Sequence, residues 1–246
     1  MDNLIKSWVW LLGLILITFL SIAGCTKGQS NVEEGNIEGI LHWGNGTDPQ
    51  ELDPHVVTGV PEHHILSALL EGLVAKDPKT LLPIPAVAEE WSISSDKKTY
   101  IFKIRKSALW SNGDSLTAHD FVWSWWRALQ PKLGNQYAYM LFPIENAESF
   151  ARGKITDFSR VGVKALSAYL LEVKLSNPTP YFLQLLDHYS MFPVHKKTIE
   201  KFGKAHERGT LWTRPGNFVG NGPFILKEWH LFRSIVVEKN LNYWDL

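Results

Sequence analysis

The densest group of side chains able to do chemistry is Glu62-His63-His64, a carboxylate followed by two imidazoles that could ligate a metal or move protons. Neighbouring residues on a helix point to different sides, so these three do not converge on one ion. They suit a solvated first turn, where Glu62 meets the positive end of the helix dipole. No metal site is expected. The sequence holds no G-x-S-x-G elbow, no G-x-x-x-x-G-K-[ST] phosphate loop and no H-E-x-x-H helix. Carboxylate pairs that meet only in space stay open, yet nothing asks for an enzyme or a cofactor.

Composition narrows the classes further. The 246 residues carry 25 Lys+Arg against 25 Asp+Glu, which gives no field to hold a phosphate backbone, so no nucleic-acid partner is expected. Eleven tryptophans argue against disorder. The single cysteine allows neither an internal disulfide nor a cysteine-based zinc site. Its position is informative. An uncharged apolar run at residues 8–20, too short for the roughly 20 residues that span a bilayer, is preceded by Lys6 and followed by Ser21-Ile22-Ala23-Gly24-Cys25. This resembles a bacterial lipobox, in which the cysteine is lipidated and becomes the new N-terminus. Residues 1–24 are then a lipoprotein signal peptide, Cys25 is the lipidation site, and residues 25–36 are a polar tether. Two or more acyl chains make a stable membrane anchor, so an exported, lipid-anchored protein is expected, in the periplasm or on the outer face of a bacterial membrane.

The elements that must position any site follow from periodicity and turn chemistry. Residues 39–43 read as a short strand closed by turn residues 44–49. Ile65, Leu66, Leu69, Leu70 and Leu73 recur at helical spacing over residues 62–74. Residues 86–91 read as a short helical piece. Residues 99–105 alternate, with Tyr100, Phe102 and Ile104 on one face. Ser111-Asn112-Gly113-Asp114 is a turn. Thr117 and Asp120 have capping-box spacing for a helix that stops near Pro131. Its Trp123, Trp125 and Trp126 could stack on bases or sugars, but core packing is the ordinary use of helix aromatics. Further elements are a strand at 170–175, helices at 180–188 and 193–202, a glycine-rich loop at 217–223, and a final strand pair at 224–226 and 234–239.

The order of the motifs is specific. Leu52-Asp53-Pro54-His55 is followed by Glu71-Gly72-Leu73, Pro85-Ala86-Val87-Ala88-Glu89-Glu90-Trp91, and Trp110-Ser111-Asn112-Gly113-Asp114 running into Thr117-Ala118-His119-Asp120-Phe121. Later come Pro178-Thr179-Pro180-Tyr181-Phe182, Gly220-Asn221-Gly222-Pro223-Phe224 and Asn242-Tyr243-Trp244-Asp245. Over residues 37–246 this resembles the family 5 extracellular solute-binding proteins, the peptide receptors of ABC importers above all. The resemblance implies an α/β fold: a type II periplasmic-binding-protein-like lobe, incomplete, from residues 37–70 and 196–246. An inserted α+β accessory domain occupies 71–195, and the second lobe is missing.

It also implies a non-catalytic receptor that closes over a peptide ligand and delivers it to the membrane permease of an ABC importer. Val57, Thr58, Gly59 and Val60, just after the L-D-P-H motif, and Tyr137 are the ligand-facing residues by resemblance. Thr58 stands where oligopeptide receptors often carry an acidic residue. In the family the N-Y-W-D motif lies near the middle, so a truncated form is expected, with a second lobe that could be separately encoded. A nickel chelate or haem in place of peptide, and a non-transporting interaction lipoprotein, are the other readings.

Overall fold

A computed structural model describes residues 30–245. The expectations for the signal peptide and Cys25 lie outside the described residues. The chain divides between Gly44 and Asn45 into two compact units.

In the first unit, Asn31–Glu38 form helix α1. Ser30 caps it: the Glu33 N–H donates to Ser30 Oγ at 3.3 Å, and the Ser30 N–H donates back to Glu33 Oε2 at 2.9 Å. Gly39 closes it with φ 72°. Composition alone assigns residues 25–36 to a polar tether, but over 31–38 a reciprocal cap and a left-handed stop define a helix. Residues 39–43, expected as a strand, form none: Gly39 caps α1, and residues 40–43 have no strand partner among the described residues.

The second unit is mixed α/β. Helix α2, Val60–Leu69, buries Ile65, Leu66 and Leu69, as their spacing predicts. It ends five residues sooner than the apolar pattern, because the chain turns extended at Leu70 and enters strand β1, Val74–Lys76, paired with β2, Pro83–Pro85. Residues 86–91 are not helical: Ala88–Ile93 is strand β3. Neighbouring chain takes up the backbone here. The Val87 and Ala88 N–H groups donate to the Gly72 and Leu73 carbonyls, and the Arg105 N–H donates to the Val87 carbonyl.

Strand β3 opens a four-stranded antiparallel sheet in the order β3-β4-β6-β5, with β4 at Thr99–Ile104, β5 at Val163–Ser167 and β6 at Leu170–Lys174. Alternation puts Tyr100, Phe102 and Ile104 inside, beside Leu171 and Val173. Helix α3, Ala118–Ala128, covers this sheet. At its start the Asp120 carboxylate accepts from both the Thr117 N–H, at 2.7 Å, and the Thr117 hydroxyl, at 2.8 Å. Trp125 is fully buried, with Trp123 and Trp126 packed partly into the same core. Short helices α4 (Ala147–Ala151), α5 (Phe182–Leu185) and α6 (Lys196–Phe202) follow the core's edge. The hairpin of β7 (Phe224–His230) and β8 (Ser234–Lys239) is the last regular element, followed by residues 240–245.

Candidate ligand-binding site

Loop residues 53–60 are held from beneath by a buried ionic network. Arg127 on α3 grips Asp53 with both terminal nitrogens, Nη1 to Oδ1 at 2.9 Å and Nη2 to Oδ2 at 2.5 Å. The same Nη1 donates to His55 Nδ1 at 3.1 Å, so the imidazole proton sits on Nε2, which donates to the Phe192 carbonyl at 3.2 Å. Arg127 Nε donates to the Ala205 carbonyl. Burial pushes the Asp53 carboxyl up, but the charge and hydrogen bonds of Arg127 outweigh it and hold Asp53 below the usual range. Burial and the Arg127 charge press His55 down to about 4, so this imidazole is neutral. A fork-to-carboxylate pair with its remaining donors satisfied is the geometry in which a buried ion pair is tolerated.

Above this network the loop surfaces. Val57 is buried, whereas Thr58 and Val60 are exposed. Gly59 precedes α2, and a Cβ there would collide with the Glu62 carboxylate. That carboxylate is turned inward and accepts the Gln50 N–H at 2.7 Å, while His63 lies against Tyr189 with ring centroids 5.7 Å apart. The three residues of the Glu62-His63-His64 cluster thus serve different neighbours. Among the described residues no group of three His, Cys, Asp or Glu side chains is placed to hold a metal ion.

Tyr137, 79 positions from Thr58, closes over the loop: its hydroxyl donates to the Thr58 carbonyl at 3.2 Å. Tyr189 does the same one residue earlier, donating to the Val57 carbonyl at 3.1 Å from a buried position. The two rings meet edge to face at 6.1 Å, and His188 stacks on Tyr189 at 4.3 Å while meeting the Tyr137 edge at 4.8 Å. Burial and the neighbouring His63 hold His188 down to about 4. Helix α3 sets the height of this aromatic group, because Trp125 Nε1 donates to the Met191 carbonyl and Ser124 Oγ accepts the Val194 N–H.

The structure therefore brings Tyr137 against the backbone of the 57–60 segment at Thr58; within that segment Thr58 and Val60 are exposed, Gly59 is half-buried and Val57 is buried. Sequence reasoning missed Tyr189 and His188, which carry no motif, and missed that Asp53, His55 and Arg127 form one network. The L-D-P-H motif was the available signal for it. A separate cleft of about 340 Å³ is lined by Trp110, Asp114, Asp120, His195 and Lys197. Its charges answer one another, Asp114 accepting from His195 Nε2 at 3.1 Å and Lys197 Nζ at 3.0 Å, so it offers a ligand little.

Glu71 organises a second network. Its carboxylate accepts from the Tyr243 hydroxyl at 2.5 Å and Trp244 Nε1 at 2.6 Å, and Arg105 lies 3.8 Å above the Trp244 ring. Asn221 exchanges two hydrogen bonds with the Glu71 backbone. The motifs around Glu71, Asn221 and Asn242-Tyr243-Trp244-Asp245, scattered along 175 positions, are one packed unit.

Residues 83–246 match a known family: bacterial extracellular solute-binding proteins, family 5 Middle. The chain belongs to that family. It is 44% identical over 205 residues to the periplasmic oligopeptide-binding protein OppA of Escherichia coli, covering 82% of this chain and 36% of the relative. It is 37% identical over 248 residues to the dipeptide-binding protein DppE of Bacillus subtilis, covering 96% of this chain and 44% of the relative. Among solved structures, Haemophilus influenzae OppA in complex with the peptide RPPGFSPFR superposes with a TM-score of 0.76 at 39% identity, over 82% of this chain and 38% of that one. The fold is that of part of a family 5 binding-protein lobe, and the chain spans less than half the length of these relatives. The family is one of extracellular solute-binding proteins.

Proposed function

We propose that this chain supplies one wall of an extracytoplasmic peptide receptor that hands its ligand to the permease of an ABC importer. The observation that carries this reading is the Tyr137 hydroxyl on the Thr58 carbonyl, which joins two segments far apart in sequence that are each expected to face ligand. An extended peptide laid there would be held chiefly by main-chain hydrogen bonds, a mode that tolerates many side chains. Family membership and the names of the relatives support peptide as the solute class.

The remaining features belong to the same proposal. Residues 1–24 direct export, lipid on Cys25 anchors the protein, and residues 25–36 join the anchor to the receptor. Residues 37–70 with 196–246 form the first lobe, and 71–195 the accessory domain. The rest of the cleft, downstream or separately encoded, completes the site. Calorimetry and thermal melts of the purified chain with a di- to octapeptide library test the reading. Peptide-dependent stabilisation is expected, alone or after adding a polypeptide that covers the remaining length of the relatives. A response to a nickel chelate or haem but to no peptide would overturn it.

A further inference from the structure

We propose that Tyr189 is a positioning residue whose hydroxyl fixes the direction in which the Thr58 N–H points. The inference rests on the reading of residues 57–60 as ligand-facing. In a planar trans peptide the carbonyl and the following N–H point in opposite directions, and no cis peptide bond occurs among the described residues. The Val57 carbonyl is drawn inward to the buried Tyr189 hydroxyl at 3.1 Å. The Thr58 N–H must then point outward, and it has no acceptor among the described residues. The Thr58 carbonyl is held in turn by Tyr137 at 3.2 Å, which directs the Gly59 N–H away from that ring.

Two successive peptide planes are thus set by two tyrosine hydroxyls of different character. Tyr137 is partly exposed, where a ligand could touch it. Tyr189 is 2% exposed, beneath the loop and stacked on His188, so it acts only through the backbone it holds. A donor aimed outward at a fixed angle suits the main-chain carbonyl of an extended peptide. The reorientation of one peptide plane is avoided at the moment of binding.

The test is Tyr189→Phe in the full chain, which keeps the ring contacts and removes one oxygen. In ¹⁵N spectra the Thr58 amide resonance is expected to shift and broaden, while the indole resonance of Trp125 stays in place and reports an intact fold. Tyr137→Phe is expected to move the Gly59 amide and leave that of Thr58. Affinity for the probe trialanine is expected to fall about tenfold in Tyr189→Phe, the worth of one hydrogen bond. A Thr58 amide that keeps its wild-type position in Tyr189→Phe overturns the inference. If trialanine binds neither protein, the peptide reading fails for the chain by itself, and the Thr58 amide still decides the role of Tyr189.

Discussion

Asp53 and Glu71 are both carboxylates drawn into the protein, and their surroundings solve the same problem in opposite ways. Asp53 meets a guanidinium held in a fork, so its charge is kept and its proton affinity is lowered. Glu71 meets a phenol and an indole, neutral donors that do not fully offset burial, and its proton affinity is raised. A charged clamp lies under the loop proposed to face ligand. A softer, hydrogen-bonded clasp fastens residues 242–245. The lesson is that the loop proposed to face ligand is the more rigidly determined of the two segments, since removing one partner of a charge pair costs far more than removing one neutral donor.

Breaking the charged clamp should have the largest effect. Arg127→Met leaves Asp53 buried without its cation and is expected to cost about 3–5 kcal/mol in urea unfolding. Acidification attacks the same region more gently. His55 has its proton affinity lowered from 6.5 to about 4, so the unfolded chain binds more protons between those values. Stability should therefore fall as pH drops from about 6.5 to 4, by something on the order of 3 kcal/mol, and His55→Asn should flatten that slope. Asp53, with its lowered value, adds a loss at still lower pH.

In the clasp region, Gly222→Ala places a Cβ 2.6 Å from backbone atoms of Leu69 and Leu70. Backbone cannot swing aside, so a loss of roughly 1–3 kcal/mol is expected in thermal or urea unfolding. Glu71→Gln should cost least, about 1 kcal/mol, because one neutral donor keeps an acceptor. Its pH signature should be opposite to that of Asp53. A carboxyl whose folded value is raised loses stabilising effect as pH rises through that value, so the variant should be relatively better at high pH. If Glu71→Gln proved as damaging as Arg127→Met, the contrast between clamp and clasp would fail.

Local pattern carried much of this architecture in the sequence. The alternation at Tyr100, Phe102 and Ile104, the capping pair Thr117 and Asp120, and the spacing of Ile65, Leu66 and Leu69 were each legible because one element decides them. Residues 86–91 were misread as helical because the backbone there is claimed by residues 72–73 and by β4, which no local pattern reveals. Strands β1, β2 and β5 were missed for the same reason, being short and defined by their partners. At the candidate site the ordered motifs pointed to residues 57–60 and Tyr137. Tyr189 was invisible because its role depends on a contact across 132 positions.

The clasp at Glu71 also sets a timetable for folding. Its bonds to Asn221, and the close packing of Gly222 on Leu69, join residues about 150 positions apart. On a ribosome making roughly 5–20 residues per second, the loop of α2 and β1 waits on the order of ten to thirty seconds for its partner. Until then the Glu71 carboxylate and the Glu71 backbone lack the partners that satisfy them. Contacts of such long range also close slowly once both ends exist. The chain is therefore expected to depend on being kept from misfolding until residues 221–244 have been made, a requirement written into where one asparagine sits.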